Sequence, residues 1–347
     1  MKRLSVIIPM YNVAPYVERC IRSLEDQDVP QEDYELICIN DGSPDHSKEV
    51  VRTLQNEFSN IVLIDQENQG VSVARNNGID RATGDYLLMI DPDDYVLPNV
   101  FAEKLKILDQ SKVDIGYTGY VILDGQLKEE YRYDPIYKED KVISGIQYFN
   151  RYEKGKVEIR DPHRSVAIFF RRSFFNQHTI RYLSEVPYLE DGELITRAAC
   201  LAQRVIFINT PFYMRTTRPG SATHSNLFNT DRARTGFLKA ANNLHIFKLN
   251  KCIETGQKEF VNQSIIHFTF MFLVSVKIKE YIKYYPQLHA SLKTGSLRKL
   301  DNAGCSRFYT KIARYYNLSI HFVYLYWVLF SIRHSLKFKA EKLFKSV

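Results

Sequence analysis

The run Tyr86-Leu87-Leu88-Met89-Ile90-Asp91-Pro92-Asp93-Asp94 couples an apolar segment suited to a buried strand with three carboxylates at its end. Parallel sheets covered on both faces are built from such runs, and in open α/β sheets ligands bind just beyond the carboxyl ends of the strands. Clustered carboxylates repel one another unless a cation or hydrogen-bond donors satisfy them. A hard divalent ion shared with substrate phosphates would do so. A plain polar turn is the competing reading, since Asp-Pro and Asp-Asp are ordinary turn chemistry. Asp91 and Asp93 stand two apart, so an extended Pro92 lets both side chains flank a ligand, and Asp93 is the primary metal-ligand candidate. Asp94 is expected to cap a following helix.

Three further polar segments follow apolar runs in the same way: Pro9-Met10-Tyr11-Asn12, Asn40-Asp41-Gly42-Ser43-Pro44-Asp45, and Asn68-Gln69-Gly70 with Ala74-Arg75-Asn76. A nucleotide base needs a flat partner and an acceptor for its ring N–H, which Tyr11 and Asp41 can supply. Alternatively, Tyr11 is an amphipathic aromatic at a strand end and Asp41 bonds its own backbone. Arg75 lies one turn into a helical pattern, where its guanidinium suits phosphate oxygens and a carboxylate such as Asp91 equally well. Glu190 and Asp191, within Val186 to Leu194, open another helical pattern, where the macrodipole alone stabilises acids.

These residues need a sheet to bring them together. Leu4 to Pro9, Tyr34 to Ile39, Ile61 to Ile64 and Tyr86 to Ile90 read as buried strands. Val13 to Asp26, Asp45 to Phe58 and Gly70 to Ala82 read as helices between them. Strict alternation predicts right-handed βαβ units, hence an α/β fold with a mostly parallel sheet flanked by helices. A helix over Leu97 to Asp109, a strand near Val113 to Ile122, a charged loop over Asp124 to Asp140, a strand over Val166 to Phe170, a helix over Leu189 to Leu201 and a strand over Arg204 to Ile208 follow. The first domain is expected to span 1–225, with 1–100 as nucleotide-binding half and 101–225 as its second half. Residues 226–347 form a helical extension, broken around Pro286, Gly295 and Gly304.

At 347 residues, 45% hydrophobic and 25% charged, the chain is long enough for a large core and too apolar to be disordered throughout. The five cysteines show no CxxC spacing, which excludes a zinc ribbon or a disulfide framework as a reading. Lys2 and Arg3 lead directly into a strand, and the expectation is a cytoplasmic protein without a signal peptide. The net charge of +7 is uneven: residues 230 to 347 are strongly basic and the remainder is acidic. An acidic catalytic part and a basic tail suit different partners, the tail a membrane surface or another polyanion.

The ordered motifs resemble the family 2 glycosyltransferases, inverting enzymes of the GT-A (Rossmann-like) fold. That family carries a P-x-Y-N turn (Pro9 to Asn12), a D-G-S-x-D turn (Asp41 to Asp45), a G-x-s-x-A-R-N helix start (Gly70 to Asn76), a D-x-D-D motif (Asp91 to Asp94) and a later E-D pair (Glu190-Asp191). The resemblance covers residues 3 to 225 and implies that 101–225 is the acceptor-binding half. It implies that Pro9, Tyr11, Asp41, Arg75 and Asp91 hold a nucleotide, with Asp91 near the ribose. It implies that Asp93 holds Mn²⁺ or Mg²⁺ against the diphosphate, and that Asp191 is the general base toward the acceptor, oriented by Glu190. Gly192 stands where an aromatic or Glu often follows. Tyr213 to His224 resembles the family's Y-x-R…G-S flexible segment, which would place Arg215, Arg218 and Ser221 near the diphosphate and lets His224 complete the metal shell, although plain solvation of His224 is the simpler reading. The implied activity is transfer from a nucleotide-sugar donor, a UDP-sugar, to a saccharide or lipid-linked saccharide in bacterial cell-surface polysaccharide synthesis.

Two rivals are a sugar nucleotidyltransferase, disfavoured because no Gly-rich, Lys-containing phosphate loop follows the first strand, and a non-catalytic partner in a polysaccharide assembly complex. In the tail, Leu318 to Ile332 is rich in aromatics but shorter than the roughly twenty residues that a spanning helix needs. With Arg333, His334, Lys337, Lys339, Lys342 and Lys345 behind it, the stretch reads either as an interfacial helix on anionic membrane or as a subdomain packed on Phe268 to Val276.

Overall fold

The computed structural model describes residues 2–133, 141–147, 165–217, 230–276, 280–293, 296–330 and 333. The chain divides into two compact units, Met1–Ser225 and Asn226–Val347.

The first unit is built on one nine-stranded sheet. Its strands are β1 (Leu4–Met10), β2 (Tyr34–Asp41), β3 (Ile61–Gln66), β4 (Tyr86–Met89), β5 (Tyr95–Val96), β6 (Ile115–Leu123), β7 (Glu129–Tyr133), β8 (Ile168–Arg171) and β9 (Val205–Thr216). They lie in the order β3-β2-β1-β4-β8-β6-β9-β5, with β7 also on β6. The expected parallel order occupies β3-β2-β1-β4, and from β4 onward directions mix: β8 runs antiparallel to β4 and β6, while β6 and β9 are parallel. Every residue of β1, β2 and β4 is buried, as the uninterrupted apolar runs require. Pro9 is tolerated in β1 because the β4 ladder ends at Ile7, so its missing N–H removes no pairing on that side.

Helices α1 (Ala14–Glu25), α2 (Ser47–Leu54) and α3 (Val71–Arg81) connect the parallel strands. Gly78 of α3 sits so close to β1 and β2 that a Cβ would approach Ile7 Cγ2 to 2.5 Å and Ile39 Cδ1 to 2.9 Å. Only glycine lets α3 lie this near the sheet, and α3 carries Arg75. Helix α4 (Phe101–Ser111) starts later than the expected Leu97, because Tyr95 and Val96 pair with β9 and Asn99 takes a left-handed φ of 55°. The expected loop over Asp124 to Asp140 begins instead as a hairpin: Asp124 accepts the amides of Gln126 and Lys128, and β7 returns antiparallel on β6. Its charged sequence hid the strand, since Glu129 and Arg132 pair across a polar edge. Helices α5 (Arg172–Gln177) and α6 (Glu190–Leu201) complete the unit.

The second unit is helical: α7 (Asp231–Lys251), α8 (Thr255–Val274), α9 (Tyr281–Lys293), α10 (Arg307–Leu318) and a helix over residues 320–330. Thr230 caps α7 by accepting the Ala233 amide, and Glu254 with Gln257 forms a capping box on α8. Pro286 does not break the chain as expected but lies inside α9, bracketed by the ring contacts Tyr281–Tyr285 and Tyr285–His289 along the same helix. Gly304, at φ +73°, does fall between α9 and α10, whereas Gly295 lies outside the described residues. Of the two readings of the tail, packing has direct support: Trp327 meets Phe270 at 5.4 Å, and the Tyr324 hydroxyl donates to the Val276 carbonyl at 2.8 Å. Among the described residues no helix is long and apolar enough to cross a membrane.

Candidate active site

Parallel register sets the site. Met10 lies beside Asn40, Asp41 beside Gln66, and Ile7 beside Met89, so the polar segments after β1 to β4 emerge on one edge of the sheet. Tyr11 projects there, 51% exposed. Its neighbour Asn12, at φ 56°, donates its amide to Ser43 Oγ at 3.3 Å, which ties the first turn to the second. Gly42 takes φ +65°, and a Cβ there would come within 2.9 Å of the Asn68 amide nitrogen.

Asp41 is almost fully buried and accepts three bonds: Oδ1 from the Gln66 side chain and the Gln69 amide, and Oδ2 from the Gly70 amide, each at 2.8 Å. The carboxylate therefore fixes the loop that opens α3. It is placed beside Tyr11's turn, but most of its acceptor capacity is already taken.

One turn on, Arg75 is only 4% exposed and gathers three carboxylates from distant parts of the chain. It donates to Glu190 Oε1 at 2.8 Å, Asp191 Oδ1 at 3.2 Å and Asp91 Oδ1 at 3.0 Å. Its guanidinium also lies 5.1 Å from the centroid of the Tyr182 ring. Burial disfavours the cation, but Asp191, Tyr182, Asp91 and Glu190 outweigh it and hold Arg75 firmly protonated. Of the two readings of Arg75, the structure shows the carboxylate-pairing one.

Glu190 and Asp191 begin α6, entered through Leu189 in a left-handed conformation at φ 57°. Burial and then the adjacent Asp191 push the Glu190 carboxyl up to about 7, against the lowering pull of Arg75. Asp191 is 23% exposed, more open than Glu190, and its Oδ1 also accepts from the buried Ser165 hydroxyl at 2.6 Å.

The acidic turn is held from β9. Tyr213 OH accepts the Asp91 amide at 3.2 Å and donates to Asp94 Oδ2 at 2.5 Å, while Asp94 Oδ1 accepts the Thr216 amide at 2.7 Å. Asp94 is therefore no helix cap. The next element is the strand β5, and the residue is buried behind the turn, where burial first and then Asp91 and Asp93 push its carboxyl well above the ordinary range. The Asp93 carbonyl is pinned by Arg19 at 2.7 Å and Thr216 Oγ1 at 2.6 Å, so the backbone that carries its half-buried side chain is fixed.

Arg215 lies in β9, opposite Ile122 of β6. The segment Tyr213 to Thr216, expected in a flexible loop, is thus strand, and Arg218, Ser221 and His224 lie outside the described residues. Three contributors escaped the sequence reading: Ser165, Tyr182 and Tyr213. Tyr182 is positioned by a reciprocal pair, in which Asn76 Nδ2 donates to the Tyr182 carbonyl at 2.9 Å and the Tyr182 amide to Asn76 Oδ1 at 2.8 Å. Asn76 and Tyr213 sat in quoted motifs, which is a usable signal; Ser165 carried none.

Among the described residues no three His, Cys, Asp or Glu side chains converge to cage a cation. With Asp94 turned away and Asp91 tied to Arg75, the donor set fits an ion bound through one or two carboxylates and completed by phosphates and water, the habit of Mg²⁺-like ions. A cavity lined by Lys2, Glu32, Ala82, Thr83 and Arg172 holds none of these carboxylates and lies near the opposite ends of the strands.

Residues 5–176 match the profile of Glycosyl transferase family 2. The chain carries a family 2 glycosyltransferase domain. Over 220 residues it is 31% identical to the uncharacterized glycosyltransferase EpsJ of Bacillus subtilis (strain 168), covering 63% of this chain and 62% of EpsJ, less than two thirds of that relative. Among solved structures it is similar to S. aureus TarS 1-349 in complex with UDP, with a TM-score of 0.62 and 19% identity over 84% of this chain and 79% of that one. It is also similar to the mannosyltransferase PcManGT from Pyrobaculum calidifontis in complex with GDP-Man and Mn²⁺, with a TM-score of 0.52 and 15% identity over 92% and 84%. At such identities these two likenesses establish a GT-A-like fold with a helical C-terminal region. The parallel strands and α3 of this domain bring the polar segments after β1 to β4 to one edge, and Arg75 joins the start of α6 to them.

Proposed function

We propose that the protein is an inverting glycosyltransferase that moves a sugar from a UDP-sugar to a saccharide or lipid-linked saccharide acceptor in bacterial cell-surface polysaccharide synthesis. The observation that carries this reading is the convergence of Asp91, Glu190 and Asp191 on one buried arginine beside the Asp93 turn. An isolated acidic turn has no reason to be joined to the start of α6; a site that handles donor and acceptor together does.

In this reading Pro9 shapes the turn that presents Tyr11 to the base, Asp41 faces the base edge, and Asp91 reaches the ribose. Asp93 would hold Mn²⁺ or Mg²⁺, with His224 as a further ligand, and the ion supplies Lewis-acid stabilisation of the diphosphate leaving group. Asp191 takes the proton from the acceptor hydroxyl as its oxygen bonds to the anomeric carbon, while the bond to the nucleoside diphosphate breaks on the opposite face. Glu190 orients the acceptor, Arg215, Arg218 and Ser221 contact the diphosphate, and Arg75 keeps the two acids and Asp91 in register. The UDP complex of TarS supports the uridine nucleotide, and the Mn²⁺ of PcManGT supports the ion. The protein would work in the cytoplasm, with its basic C-terminal helices peripheral on the inner face of the membrane.

The test is nucleoside diphosphate release over a panel of UDP-, GDP- and dTDP-sugars, with Mn²⁺ or EDTA, beside Asp93→Ala and Asp191→Asn. Metal-dependent release from one donor class, lost in both variants, is expected. Pyrophosphate release from a nucleoside triphosphate would point to a nucleotidyltransferase, and silence without nucleotide binding to a non-catalytic partner.

A further inference from the structure

The second unit carries an exposed two-part stripe that its own packing does not use. On α10, Arg307, Lys311, Arg314 and Leu318 are all exposed and recur at spacings of four, three and four, which places them on one helix face. On the next helix the exposed positions include Phe322, Leu325 and Leu329, again one face. Leu318, Phe322, Leu325 and Leu329 are 74%, 51%, 54% and 58% exposed. Arg333, four residues beyond Leu329 in the sequence, is exposed as well. Four large apolar side chains are thus bracketed by cations along the chain.

The inner face of the same helix is already occupied. Val323 and Tyr324 are buried, Tyr324 stacks on Tyr281 with centroids 3.7 Å apart, and Tyr285 stacks on His321 at 4.1 Å. The outer apolar residues therefore have no part in this packing. A run of large exposed apolar residues is unusual on a monomer and marks an interaction surface.

Charge decides the partner. From Asn302 to Ala340 the sequence holds no Asp or Glu, whereas Arg307, Lys311, Arg314, Arg333, Lys337 and Lys339 all fall within it. Among the described residues, Arg307, Lys311, Arg314 and Arg333 make no ion pair. A second copy docking through this face would bring like charges together. A surface that is apolar in its interior and anionic at its boundary matches both halves of the stripe, and an anionic bilayer has that construction.

We propose that Leu318, Phe322, Leu325 and Leu329, flanked by Arg307, Lys311, Arg314 and Arg333, form a face that docks on the surface of an anionic lipid membrane. This sharpens the peripheral placement given above and does not depend on the transferase chemistry. The leucines and Phe322 enter the boundary between headgroups and acyl chains, and the cations lie at the phosphate level. No segment crosses.

The experiment is co-sedimentation of the full chain with vesicles of equal parts phosphatidylcholine and phosphatidylglycerol, against phosphatidylcholine alone, at low and high salt. Binding to the anionic vesicles alone, weakened by salt, is expected. Leu325→Glu with Leu329→Glu should abolish it, and Lys311→Glu with Arg314→Glu should weaken it by at least tenfold, since each cation contributes a factor of about five. Thermal melting checks that each variant folds, and the charge variant lies on a fully exposed face should the other fail to fold. Absence of sedimentation, or binding unchanged in both folded variants, overturns the proposal. Concentration-dependent dimerisation by light scattering, lost in the leucine variant, would assign the face to a second copy. Nucleotide-sugar turnover by the leucine variant on a soluble acceptor separates this outcome from failure of the transferase reading.

Discussion

The two units put their charges and their apolar groups in opposite places. In the first, charges go inside: Arg75, Glu193 and Lys104 are buried, each paired with an opposite charge. Its large exposed apolar side chains among the described residues are Tyr11, Leu97 and Leu127. The second unit exposes Ile246, Leu249, Ile253, Ile282, Leu318, Phe322, Leu325 and Leu329 and leaves most of its cations outside, with Arg234, buried and paired with Asp231, as an exception. Its buried polar bonds are mostly neutral, as from Tyr316 to the Leu297 carbonyl and Tyr324 to that of Val276. Buried charge is costly unless fully paired, so a unit that tolerates it is organised around keeping those charges in fixed positions. A unit that keeps apolar surface outside is organised around what it meets.

Substitutions that remove charge should therefore act most strongly in the first unit, and the largest effect should come from the proposed base. Asp191→Asn keeps size and the Ser165 bond while removing proton acceptance, and kcat should fall by about 10²- to 10⁴-fold with donor KM little changed. Equal losses in KM and kcat would place Asp191 in donor binding instead. Arg75→Met comes next. It leaves Asp91, Glu190 and Asp191 facing one another without their cation, and breaking a buried pair in this way costs about 3–5 kcal/mol. Denaturant unfolding measures it. A loss below about 1 kcal/mol, the range of exposed pairs, would mean that the carboxylates are solvated after all.

The sequence carried the elements of the first hundred residues because each is local: a continuous apolar run, a Gly or Pro boundary, an amphipathic helix. The order of the first four motifs placed Asp41, Arg75 and Asp91 on one edge for the same reason, whereas Asp191 was reached through the family resemblance. What joins them was illegible, since Tyr213 meets Asp94 from 119 residues away and Tyr182 meets Asn76 from 106. No periodicity encodes such pairs. Asp94 illustrates the cost of reading locally: its neighbours suggested a cap, but its partners lie on β9. Strand β7 was hidden by charges at a polar edge, and Pro286 by aromatic contacts within α9 that outlast the missing backbone donor.

A matched pair of tyrosines tests the contrast at smaller scale. Tyr213→Phe removes a partner from the buried Asp94 carboxyl and an acceptor from the Asp91 amide, and should destabilise by about 1–3 kcal/mol, as for buried polar groups left short of a partner. Tyr324→Phe removes one neutral bond to the Val276 carbonyl and should cost about 0.5–1.5 kcal/mol. Both can be read from the shift in denaturant midpoint. Equal losses would mean that the two units treat buried polar groups alike.

The smallest expected effect, and the most diagnostic of buried charge, concerns Glu190. Its carboxyl is raised to about 7 in the folded chain by burial and by Asp191, above the 4.3 or so of an unfolded chain. The folded state thus binds the proton more tightly than the unfolded state. The stability gained from that proton is fully present below about pH 4.3 and is lost as pH rises toward 7 and above. Glu190→Gln mimics the protonated form at every pH, so variant and parent should melt alike near the lower limit, with the variant gaining on the parent as pH climbs from about 4.3 to about 7. The gain should saturate above that range, because Glu190 is then fully ionised. A difference that is flat with pH would show that Arg75 already compensates the Glu190 charge in full, and that in this unit pairing outweighs burial.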